Sequence, residues 1–79
     1  MILPRFYLNI RRNGVLIRDE EGDELADVEA AQALVYDTLR DMRRLPHVYG
    51  PPREWEHNVF VITGENGTVL AEAPYAEEP

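Results

Sequence analysis

The chain has 79 residues, 15 acidic against 8 basic, a formal charge of −7 and no cysteine. That length supports one thin-cored domain, and the missing cysteines exclude a disulfide scaffold, thiolate catalysis and cysteine-ligated zinc. The negative surplus opposes non-specific attraction to phosphate backbones, and no apolar run approaches the length of a membrane span.

Residues 5–11 alternate. Phe6, Leu8 and Ile10 face one way, and Arg5, Tyr7, Asn9 and Arg11 the other, as in a strand with one face in a core. Asn13-Gly14 follows, a pair that tolerates the positive φ values of a type I′ turn. The chain then returns over 15–18 to complete a hairpin over 5–18. A two-residue loop sets Ile17 across from Ile10 and Arg12 across from Val15, and it puts Leu16 on the face of Tyr7 and Arg11.

The acidic run comes next: Asp19, Glu20, Glu21, Asp23, Glu24, Asp27 and Glu29, with a turn at Gly22. Oxygen-rich loops bind calcium, but here the spacing fails, because a loop with Gly22 in its sixth position would begin at Ile17. The run is expected to be a solvated connection, with Leu25 folded inward.

A helix is predicted over 27–45. Val28, Ala31, Leu34, Val35, Thr38, Leu39, Met42 and Leu45 fall on one stripe at 100° per residue. Asp27 is placed to cap it, Glu29 sits in the first turn, and Arg40, Arg43 and Arg44 lie toward the end that favours cations. Pro46 stops it. A stiff proline-rich linker over 46–54 is expected to be pinned by Val48-Tyr49.

A second hairpin is predicted over 55–75, beginning near Trp55. Phe60 and Ile62 share one face, and Val59 and Val61 the other. A turn at Asn66-Gly67 pairs Ile62 with Ala71, whereas a turn at Glu65-Asn66 pairs it with Val69. The second is favoured, because it sets Val69, Ala71 and Ala73 beside Phe60 and Ile62. Pro74 fits a strand end, and residues 76–79 are expected to fray. The sum is a single α+β domain over 1–79, ββαββ, with one antiparallel sheet and one helix packed on one face.

The stretch Pro4-Arg5-Phe6-Tyr7-Leu8-Asn9-Ile10-Arg11, then Asp19-Glu20-Glu21-Gly22, Leu25, Asp27 and the alanine-rich helix start, resembles a family of small bacterial proteins. It is found largely in rhizobia and their relatives and is catalogued only as a domain of unknown function. Phe60 to Gly67, Val69-Leu70 and Pro74-Tyr75 carry the C-terminal part of the likeness. The chain departs from the family in Gly64, where an acid is common, in Tyr75, where phenylalanine is common, and in its proline-rich linker. The resemblance implies a shared fold and a bacterial origin, and no activity comes with it.

Chemistry-bearing constellations are sparse. His47 and His57 are the two histidines and lack the close spacing of metal ligands. There is no serine, and the glycines suit turns better than a phosphate loop. Carboxylates on an exposed loop lack the burial that splits their pKa values for acid–base work. No enzyme, cofactor or metal site is therefore expected, and the location is expected to be cytoplasmic, since the N-terminal residues lack a signal-peptide layout.

Two binding readings stand. Arg5, Tyr7, Asn9 and Arg11 on the outer sheet face, with Arg40, Arg43 and Arg44 at the helix end, could contact single-stranded nucleic acid by stacking and pairing. The favoured alternative is self-association into a homodimer, or contact with another protein. It uses Tyr7, Leu16, Trp55, Val59 and Val61 on the face away from the helix, or joined edge strands.

Overall fold

A computed structural model describes residues 2–75, with the backbone alone for Pro52. Its sheet is built around strand β1, Arg5–Arg12, which pairs antiparallel with β2, Val15–Ile17, through an Asn13-Gly14 turn. Both turn residues have positive φ, 52° and 78°, as the type I′ geometry requires. The register sets Ile10 against Ile17, Arg11 against Leu16 and Arg12 against Val15. A two-residue segment, β3 (Asp23–Glu24), returns to pair with Phe6 and Arg5.

Helix α1, Val28–Arg44, follows. Asp27 caps it, its Oδ1 accepting the Ala30 N–H at 2.9 Å, and the Leu45 N–H closes the other end on Asp41 O. Ala31, Val35, Leu39 and Met42 are buried. They meet Phe6, Phe60, Ile62, Ala73 and Tyr75, with Leu8, Ile10, Leu25 and Val28 packed around them. The helix lies over β1, β4 and β5.

The linker holds a four-residue helix α2, Pro46–Tyr49, and a 3₁₀ turn, Pro52–Glu54. Val48 and Tyr49 are exposed and do not pin it as expected. Trp55 does. Its indole Nε1 donates to Tyr49 O at 2.8 Å, its ring packs against the core, and the Arg12 guanidinium lies 5.4 Å from the ring centroid. Trp55 therefore belongs to the helix side of the domain, and the strand predicted to begin there begins at Val59 instead.

Strands β4, Val59–Thr63, and β5, Val69–Pro74, complete the sheet in the order β2-β1-β4-β5, with β3 also on β1. The favoured register of this hairpin is corrected: Ile62 pairs with Ala71 and Thr63 with Val69. The turn is centred on Glu65-Asn66, closed by Gly67 N–H on Gly64 O. Gly67 at φ 82° then adds one residue, and a register shift opposite Ile62/Thr63 adds another. These two extra residues move the register by two. Val69 leaves the core face and is exposed, while Ala71 and Ala73 remain beside Ile62 and Phe60. Residues 76–79, predicted to fray, lie outside the described residues.

Candidate functional site

The acidic run is a built edge of the sheet. β2 and β3 cover opposite ends of β1 on the same side, leaving backbone between them to be satisfied. Asp19 does this. Its Oδ2 accepts the Leu8 N–H at 3.2 Å, and its Oδ1 accepts the Glu21 and Gly22 N–H groups at 3.3 and 3.1 Å. The Asp19 N–H in turn donates to Asn9 Oδ1 at 3.0 Å. Asn9, only 4% exposed, donates its amide to Val61 O and Thr63 Oγ1 at 3.0 and 3.1 Å. One carboxylate and one carboxamide thus tie the loop to β1 and β4. A buried amide satisfied at both ends is stabilising, whereas an orphaned one is costly.

Gly22 lets the loop come close. Its φ is 72°, and a Cβ there would lie 2.9 Å from Arg5 Cγ, Phe6 O and Tyr7 Cε1. The Arg5 guanidinium clasps the same segment, donating to Glu21 O and pairing with Glu24 at 2.7 Å each. The connection stays solvated as expected, with Glu20, Glu21, Asp23, Glu24, Asp27 and Glu29 exposed and Leu25 packed against the core. Backbone demand along β1 draws Asp19 alone of its acidic side chains onto the strand.

Much of the outer face is closed as a result. Val61, expected at a surface, is 2% exposed. The Arg11–Glu72 pair reaches across β4 on its face, with two contacts of 3.2 Å. Tyr7 and Val59 are half-buried, and Trp55 lies on the other side. Of the five residues considered for an interface, Leu16 alone is exposed.

Leu16 sits in β2, where Val15, Leu16 and Ile17 are 63%, 43% and 50% exposed. The helix lies over the three other long strands and leaves the Val15 and Ile17 side chains uncovered. In the β1–β2 ladder, Arg12 and Val15 form the hydrogen-bonded pair next to the two-residue turn, so Arg11 and Leu16 form a non-hydrogen-bonded one. The Leu16 N–H and C=O accordingly point away from β1, toward the open edge. Pairing with Ile10 and Arg12 puts Ile17 and Val15 on the face of the core, so alternation alone does not single them out as exposed. Three consecutive apolar residues in one short strand are the signal that both its faces seek cover.

The arginines considered for nucleic acid are held by the protein itself. Arg5 and Arg11 carry the pairs above, Arg40 pairs with Asp37, and Arg44 with Asp41. Arg43 donates to Tyr75 O at 2.7 Å and stacks on the Tyr75 ring at 4.5 Å. Asn9 is buried and Tyr7 lies under the loop. These residues do not converge on one surface. His47 and His57 are exposed, the latter 3.5 Å from Glu56. Among the described residues no group of three or more His, Cys, Asp or Glu side chains is placed to hold a metal ion. An open groove of about 450 Å³ lies beside β2, lined by Tyr7, Asn9, Leu16, Arg18, Asp19, Glu20, Thr63, Gly64, Glu65 and Gly67.

A family profile described as "Domain of unknown function (DUF6894)" matches residues 5–76. No curated protein and no solved structure matches the chain. Among the described residues no helix is long and apolar enough to cross a membrane.

Proposed function

The chain belongs to the DUF6894 family, a domain of unknown function, and from that premise we propose that it is an interaction module that works by self-association. The observation that carries this reading is β2: three exposed aliphatic residues on a strand whose outer backbone has no partner strand among the described residues. An unpaired strand with apolar side chains is a template for a further strand, and proteins that keep one open use it or guard it. A second copy supplies a matching strand with no new sequence required. A bacterial origin and a cytoplasmic setting belong to the same reading, the first drawn from the resemblance of the first strand and the acidic turn, the second from the cysteine-free composition.

Solution mass by light scattering, across a wide protein concentration range, tests it. A mass of twice the chain, falling toward the monomer on dilution, is the expected result. A mass that stays at one chain up to the highest concentration removes the reading.

A further inference from the structure

We infer that the partner of β2 is the β2 strand of a second copy, antiparallel, with the two-fold axis passing at Leu16, and that assembly stops at two chains. This rests on the self-association reading and specifies its geometry.

The register follows from what each alternative would juxtapose. Centring the pair on Leu16 sets Leu16 against Leu16 and Val15 against Ile17 of the other copy, so all six aliphatic side chains meet aliphatic partners. Leu16 points its N–H and C=O outward, so it forms a hydrogen-bonded pair across the axis. Arg18, exposed and without an ion-pair partner among the described residues, then falls opposite Gly14, which offers neither a clash nor a like charge. Centring on Ile17 instead sets Leu16 against Arg18 and Val15 against Asp19, whose carboxylate is already held by three backbone N–H groups. A centre at Arg18 brings the two arginines face to face. Val15 as the centre drives Ile17 against Asn13, where a φ of 52° has already turned the chain out of the strand.

Closure at two follows from the other edge. β5 is interrupted by the register shift opposite Ile62/Thr63, holds Glu72 in the pair with Arg11 and ends at Pro74. Bulge, charge and proline are the features that keep an edge from pairing. The isologous contact at β2 uses the same strand in both copies, so neither β2 strand is left to recruit a third.

The native chain has no cysteine, so single-cysteine variants report the register on a silent background. Leu16→Cys is expected to form a disulfide-linked dimer with itself on mild oxidation, since opposed residues in a strand pair lie at about 5.5 Å between Cα atoms, within disulfide reach. Val15→Cys is expected to cross-link more efficiently with Ile17→Cys in a mixture than with itself. Circular dichroism shows whether each variant is folded, and the reduced variants' mass is measured alongside. A folded, dimeric Leu16→Cys variant that fails to cross-link overturns the Leu16 register while self-association stands. Masses that grow beyond two chains overturn closure alone. A wild-type chain that is monomeric at every concentration overturns both the inference and the reading beneath it.

Discussion

The two edges of this sheet face the same physical problem and meet it differently. β5 carries an extra residue, an ion-paired glutamate and a terminal proline. The opposite edge is split. Its N-terminal piece, β2, has none of these guards, and its C-terminal piece, β3, is reached only through a loop held by Asp19 and Gly22. An edge can thus be satisfied by side chains as well as by strands. Where it is, one acidic residue of a solvated loop, Asp19, becomes structural. The stretch left over, three aliphatic residues long, is the candidate contact surface.

Substitutions along both edges break or sharpen this contrast. Gly22→Ala should cost most, about 3 kcal/mol or more, because it combines a positive φ with three contacts too close for a methyl group. Urea denaturation would register this as a large fall in midpoint, and an unchanged midpoint would mean the loop is not held against β1. Asp19→Asn should cost about 2 kcal/mol, since the amide cannot present acceptors to both the Leu8 N–H on one oxygen and the Glu21 and Gly22 N–H groups on the other.

Ile17→Lys should leave the monomer within about 0.5 kcal/mol, its side chain being exposed, yet abolish dimerisation. The check is a melting temperature that rises with concentration for the wild type and stays constant for the variant. Glu72→Ala removes a half-exposed ion pair worth under about 1 kcal/mol. Leu70→Lys, on the guarded edge, should change neither stability nor mass. If it halves the mass, the assignment of the two edges is reversed. Two copies of charge −7 also repel, so the dimer should tighten as salt is raised; light scattering at low and moderate ionic strength measures this.

Much of the architecture was legible in the chain because its signals are local. Alternation in residues 5–11, Asn13-Gly14, the Asp27 cap and the stripe from Val28 to Met42 each depend on neighbours a few positions away. They yield β1, β2, α1 and the first hairpin's register. The second hairpin's register was not legible, because Gly67 and the later shift each add a residue whose placement is settled by how β5 packs beside β4. The candidate site was legible only in part. Leu16 is legible on the outer face, whereas the exposure of Val15 and Ile17 is not, since pairing with Arg12 and Ile10 says which face they occupy and not whether a helix reaches them.

The residues by themselves determined the class of fold, the caps and the absence of thiol chemistry, since short-range sterics, periodicity and composition suffice for these. Only the tertiary structure decided that Val61 is covered, that Asp19 and Asn9 stitch the acidic loop to β1 and β4, and that Arg5, Arg11 and Arg43 engage acids and carbonyls of distant segments. The Asn9–Asp19 tie and the Arg11–Glu72 pair join groups 10 and 61 positions apart in the chain, and it is the packing of α1 over β1, β4 and β5 that leaves β2 as the open edge.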